Sequence, residues 1–144
     1  MKKKGSICDY ITSRNENLKR EFFARLGKNG RNVSDAINAM TRVPADRFYI
    51  SEERAIAILR KLSEHELRNL REGETRIDSL VKNPRKRAML KEILSRVNCE
   101  MRRAESPIFL EELIFDVIEK PAPAFYLSRA SIRTILYGYL ANQS

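Results

Sequence analysis

The side chains best equipped for chemistry in this sequence are cations. The run Lys82-Asn83-Pro84-Arg85-Lys86-Arg87, followed by Lys91, crowds positive charge into what Asn83 and Pro84 mark as the start of a helix. A helix start already carries partial positive charge and prefers anions. The placement is therefore unfavourable unless an external anion is present. A phosphate held by free N–H groups together with Lys82, Arg85, Lys86, Arg87 and Lys91 would relieve it. The segment Gly27-Lys28-Asn29-Gly30-Arg31-Asn32 reads as a loop offering Lys28 and Arg31 as further phosphate contacts. It lacks the G-x-x-x-x-G-K-[ST] pattern of a nucleotide-binding loop. Near the other end, Arg129, Arg133 and Tyr137 recur at i, i+4 and i+8 beside Ser131 and Thr134. Arginine reads guanine edges in the major groove, and hydroxyls serve at phosphates.

Other chemistry has little to work with. His65 is the only histidine, and the two cysteines, Cys8 and Cys99, stand far apart outside any C-x-x-C pair. A zinc site lacks its ligand set and a disulfide framework is not expected. No Ser-His-Asp order, H-E-x-x-H or nucleotide-binding glycine loop occurs. Glu111 and Glu112 fall early in a helix, where they complement its dipole. The expectation is a protein that is not an enzyme and carries no cofactor and no metal.

The elements that position these cations repeat. Pro44-Ala45-Asp46-Arg47-Phe48-Tyr49-Ile50-Ser51 is answered by Pro121-Ala122-Pro123-Ala124-Phe125-Tyr126-Leu127-Ser128, and seven of sixteen positions agree between 44–59 and 121–136. Upstream, Arg20-Glu21-Phe22-Phe23-Ala24-Arg25-Leu26 matches Lys91-Glu92-Ile93-Leu94-Ser95-Arg96-Val97, with the offset changed from 77 to 71. Two matched blocks in one order point to internal duplication.

Each copy reads as three helices. In the first, a helix over 15–26 carries Leu18, Phe22 and Leu26, with Gly27 just past its end. A second over 33–42 carries Val33, Ala36, Ile37 and Met40 before Pro44 stops it. Ser51 caps a third over 52–62, with Ala55, Ile58, Leu59 and Leu62 inward. In the second copy, Asn83 caps a helix carrying Leu90, Ile93, Leu94, Val97 and Met101. Ser106-Pro107 opens the next, over 107–119, and Ser128 caps the last, over 128–141, with Ile132, Ile135, Leu136 and Tyr139 inward. Between the copies, Ser63-Glu64-His65-Glu66 fits a capping box heading one or two short helices broken at Gly73. No convincing strand appears. The predicted fold is all-α: a tandem duplication of a three-helix unit, with residues 1–62 and 84–144 as the copies and 63–83 as a helical connector.

Charge narrows the partner. The chain carries +9 overall, distributed as +7 over residues 1–62, −1 over 63–83 and +3 over 84–144. Such an excess suits a polyanion, most often nucleic acid. No run approaches the ~20 apolar residues of a membrane span, and the basic start Met1-Lys2-Lys3-Lys4 has no apolar segment after it. A cytoplasmic protein with no membrane association is expected. The pairs Phe48-Tyr49 and Phe125-Tyr126 have the rings to stack on unpaired bases. Their recurrence at a corner of each copy makes them anchors of the loop instead.

The P-A-x-x-F-Y-[IL]-S block at 44–51 and 121–128, followed each time by a helix, resembles small basic helical proteins of unassigned function carried by bacterial prophages and other mobile elements. The resemblance covers about two-thirds of the chain with its paired helices. It implies a bacterial host and a role around mobile DNA, and it carries over no individual site residue.

The functional expectation is a nucleic-acid-binding accessory or regulatory protein whose partner is duplex DNA. Lys28, Arg31, Lys82, Arg85, Lys86, Arg87 and Lys91 would hold phosphates while Arg129 and Arg133 face bases. The alternative is a helical adaptor that binds another protein. A standard helix-turn-helix from the segments 107–119 and 128–141 is not expected, because Lys120 to Leu127 is longer than its usual turn and contains two prolines, which leaves an atypical variant as the alternative.

Overall fold

Hydrophobic spacing accounts for most of the helices in the computed structural model, which describes residues 7–29, 32–62, 77–105 and 109–142. These form α1 (Ile7–Asn29), α2 (Val33–Met40), α3 (Glu52–Leu59), α4 (Ile77–Leu80), α5 (Pro84–Arg103), α6 (Leu110–Ile118) and α7 (Arg129–Asn142). Among the described residues there is no strand, and the protein is mostly helical. No helix among them is long and apolar enough to cross a membrane.

Local caps set several boundaries. The Asn32 side chain accepts from the Asp35 N–H, Ser51 from Arg54, and Asn83 from both Arg85 and Lys86. Ser128 Oγ accepts from the Ser131 N–H at 3.0 Å. Two sequence boundaries need correction. Helix α1 begins at Ile7, not near 15, and runs through Gly27 to Asn29. Its half-buried row at Tyr10, Ile11 and Arg14 is interrupted by a cation, so apolar periodicity alone starts the helix late. Helix α6 begins at Leu110, with Phe109 still extended before it, so its start is later than the expected 107. Residues 106–108 and the capping box at 63–66 lie outside the described residues.

The chain divides into two compact units, one made of Met1–Tyr49 with Pro121–Ser144 and the other of Ile50–Lys120. In the first, α1 packs on α2, and α7 packs on both. In the second, α5 packs on α6 and on α4, while α3 packs on α6. Setting the short α4 aside, each unit thus takes two consecutive helices from one half of the sequence and one from the other. Periodicity tells a helix which face to bury, not which neighbour to bury it against.

The first unit is closed by the two corner blocks. Ala45 and Ala122 form an isolated antiparallel bridge, each N–H donating to the other's carbonyl at 3.0 Å. Beside it the rings of Phe48 and Tyr126 stack at 6.3 Å, and those of Tyr49 and Phe125 at 6.2 Å. Tyr126 has φ 58°, in the left-handed region, which costs a non-glycine residue about 1–2 kcal/mol. The ring contact with Phe48 accompanies that strain.

Burial follows the repeat closely. Between 44–59 and 121–136, fourteen of sixteen positions are exposed, half-buried or buried alike; Ile50/Leu127 and Ile56/Arg133 differ. Leu18 and Phe22 of α1 are buried, as are Met89 and Ile93 at the matched places of α5. The same ion pair recurs on both helices, Arg25 with Glu21 at 2.6 Å and Arg96 with Glu92 at 3.0 Å.

Candidate nucleic-acid interface

The basic start of α5 belongs to the second unit. Lys82, Arg85 and Lys86 are exposed there, and none is ion-paired with a described residue. The backbone beneath them is already satisfied. Pro84 has no N–H, Asn83 Oδ1 accepts from Arg85 at 3.0 Å and Lys86 at 3.1 Å, and Arg87 N–H donates to the Asn83 carbonyl at 2.9 Å. The expectation of free N–H groups for a phosphate is therefore corrected: Asn83 takes the place an anion would occupy. Arg87 is also committed, its guanidinium donating to the Val81 carbonyl at 3.0 Å and the Lys82 carbonyl at 3.1 Å. Lys91 is half-buried and has partners within the chain. What remains for an external anion is three side chains with no acidic residue in the first helical turn. They act as mobile point charges rather than as a shaped cradle.

The other set lies in the first unit, on α7. Arg129 and Arg133 are exposed and unpaired among the described residues, and Tyr137 is 49% exposed one turn further on. The neighbouring hydroxyls are less available. Ser131 bonds through both its N–H and its Oγ to Ser128 Oγ at 3.0 Å, and Thr134 Oγ1 donates to the Ala130 carbonyl at 3.0 Å. Lys28 falls inside α1, so it does not sit on a loop, and its side chain lies outside what is described; Arg31 lies outside the described residues altogether.

The aromatic pairs do not present free faces. Phe48 and Phe125 are buried, and all four rings are engaged with one another. The Tyr49 hydroxyl finds its partner on α1, donating to Asn17 Oδ1 at 2.9 Å, where the Asp46 N–H also donates at 2.8 Å. Burial pushes the Tyr49 phenol above its ordinary range, with the nearby Asp46 carboxylate adding to the effect. Arg20 binds Asp46 at 2.6 Å, and that hydrogen bond holds its guanidinium still more firmly protonated. Arg14 moves the other way because burial disfavours its charge, and it rests on Asn15 Oδ1. This network is absent from the sequence reading. Asn17 aligns with Ala88 at the offset of 71, so the sequence match gives no hint of it.

A second feature was missed and was within reach. Phe109 is 74% exposed and Phe115 41% exposed, on the outer face of α6 with Glu112, Asp116 and Glu119. The same offset of 77 that aligns the corner blocks aligns α6 with α2 and sets these phenylalanines against Asn32 and Asn38.

Among the described residues, no group of three His, Cys, Asp or Glu side chains is placed to hold a metal, and the Cys99 thiol is exposed and free. No protein-family model matches the chain, and no curated protein or solved structure matches it significantly.

Proposed function

We propose that this chain is a non-enzymatic nucleic-acid-binding protein of bacterial mobile elements, acting in the cytoplasm on duplex DNA. The observation that carries the reading is the set of cations Lys82, Arg85, Lys86, Arg129 and Arg133, exposed and unpaired among the described residues, in a protein of net charge +9. Unpaired arginine and lysine on helices favour a polyanion, because each phosphate neutralised releases condensed counterions. Lys82, Arg85 and Lys86 hold the backbone, and Arg129 and Arg133 face the groove. Asn83 and Arg87 keep the α5 start in place rather than touching the ligand.

The test is a fluorescence-anisotropy titration of random and genomic duplexes over a range of salt. Three phosphate contacts give a slope of log K against log salt of about −3. Affinity no better than millimolar at low salt refutes the reading. A second reading, a helical adaptor for another protein, is favoured by the exposed Phe109 and Phe115. A partner captured from host lysate that survives nuclease treatment supports it.

The finer architecture belongs to the same proposal. The chain is a tandem duplication of a three-helix unit in which the copies have exchanged their third helices. The matched burial of 44–59 and 121–136, the repeated Glu–Arg pairs, and the mixed origin of each compact unit support this.

A further inference from the structure

We propose that copies of this chain associate head to tail, the acidic, phenylalanine-bearing face of α6 in one copy seating on the arginine face of α7 in the next. At about 100° per residue, Phe115, Glu119, Glu112, Asp116 and Phe109 follow one another around roughly a third of the α6 circumference. All five are exposed, and the three carboxylates have no ion-pair partner among the described residues. In a protein of net charge +9 this is a local patch of the opposite sign.

The fold does not require that patch. The matched positions on α2 are Asn32, Asp35, Asn38, Ala39 and Arg42, which carry no net charge and no aromatic ring. Asn32 caps α2 through its side chain, whereas Phe109 occupies the same cap position on α6 with no side-chain hydrogen bond. A capping group has been replaced by an exposed ring, and a contact made by that ring explains the exchange.

The complementary surface is present on the same chain. On α7, Arg129 and Arg133 stand one turn apart, the spacing of Glu112 and Asp116 on α6. Both are exposed and unpaired among the described residues, and Tyr137 extends the row. Beside them run Ala130, Thr134 and Gly138, all exposed, and nothing lies within 4 Å of a Cβ added at Gly138. These small side chains leave room for a phenyl ring beside the arginines that would meet the carboxylates. The two surfaces differ, so the contact is heterologous, and copies joined through it form rows, open or closed. A helix of nine residues spans only about 13 Å. Its contact falls below the ~800 Å² per partner of a stable complex, so association is weak and rises with concentration.

The experiment is sedimentation of the full-length chain free of nucleic acid, over a wide concentration range at low and high salt. The weight-average mass is expected to climb with concentration at low salt, with affinity falling roughly tenfold at high salt as the charges are screened. Glu112→Arg with Asp116→Arg abolishes the climb, as does Arg129→Glu with Arg133→Glu, because each variant opposes like charges. Mixing the two variants restores it, which also shows that both are folded. Phe109→Ser with Phe115→Ser weakens association about tenfold, the scale of two lost apolar anchors. A wild-type chain that stays monomeric at low salt, or a mixture that does, overturns the proposal. Only one added arm rests on the proposed function: duplex DNA competes for Arg129 and Arg133 and dissolves the rows. Rows that persist with saturating duplex refute α7 as the groove-facing helix while leaving the association intact. Duplex binding by a strictly monomeric chain refutes the association alone.

Discussion

Asn17 gives the sharpest test of how the first unit is held together. It is 2% exposed, and its Oδ1 accepts from the Asp46 N–H at 2.8 Å and the Tyr49 hydroxyl at 2.9 Å. Asn17→Ala removes the one acceptor that serves both donors. Two neutral hydrogen bonds contribute about 1 kcal/mol each, and the stranded Asp46 N–H adds about 1 kcal/mol or more. One term opposes these: Asn17 Nδ2 is buried with no hydrogen-bond partner, and its removal recovers about 1 kcal/mol. The net loss is about 2 kcal/mol. Tyr49→Phe loses one bond, about 1 kcal/mol, and keeps the ring on Phe125. In the double variant the shared bond is lost only once, so the combined loss falls short of the sum by about 1 kcal/mol. Urea unfolding followed by far-UV circular dichroism reads this directly, since the chain has no tryptophan to report by fluorescence. An Asn17→Ala loss below about 0.5 kcal/mol, or strict additivity, would refute the account of this corner.

Three further outcomes are expected. Because burial raises the Tyr49 phenol, its contribution is complete below the ordinary tyrosine value near 10 and is lost as pH rises through the raised one. The stability gap between wild type and Tyr49→Phe therefore narrows above pH ~10, and a gap that widens there contradicts the assignment. Phe109→Asn restores at α6 the cap that Asn32 gives α2, and is expected to raise the urea midpoint by the equivalent of about 0.5–1 kcal/mol. A lower midpoint would mean that the ring is held by the fold. Lys82→Ala with Lys86→Ala lowers the salt slope of duplex binding by about 2, whereas Arg87→Ala mainly lowers stability by about 1–2 kcal/mol. Equal effects of both on the slope would show that Arg87 leaves its carbonyls for the ligand.

The helical class, the corner blocks and most caps were legible because each depends on a few adjacent residues. Asn83, Ser51 and Ser128 declare their helices through a short polar side chain placed before an apolar stripe. Partner choice was not legible. Nothing local to Ile132 and Leu136 says that they will pack in the unit of α1 and α2, because any apolar stripe accepts any other. The surroundings of the basic run were half legible. Charge and position marked Lys82, Arg85 and Lys86 as exposed cations, yet the donors assumed beneath them depended on where the Asn83 side chain points. Arg87 was misjudged for a similar reason: a guanidinium with five donors satisfies loop carbonyls as readily as phosphates. The Asn17 network joins residues up to 32 apart with no repeat to flag them, so it appears only in three dimensions.

The proposed duplication would explain why the proposed contacts fall where the copies disagree. In a dimer of identical chains every substitution appears twice, so a carboxylate face acquired on one second helix is acquired on both. Joining the copies in one chain removes that constraint. Helix α2 keeps Asn32 and Asn38 while α6 carries Phe109 and Phe115 at the same places; α3 keeps Glu52 and Ile56 while α7 carries Arg129 and Arg133. The buried partners of these positions hardly change: Ile37 and Ile114 are buried alike, as are Leu59 and Leu136. Exposed sites that differ over a shared buried framework are free of packing constraint, so packing does not account for the choice of phenylalanine and arginine there. The Phe109→Asn variant joins the two arguments in one molecule. It is expected to be more stable than wild type and worse at associating, and a variant that gains stability without losing association would separate the exposed ring from the function assigned to it.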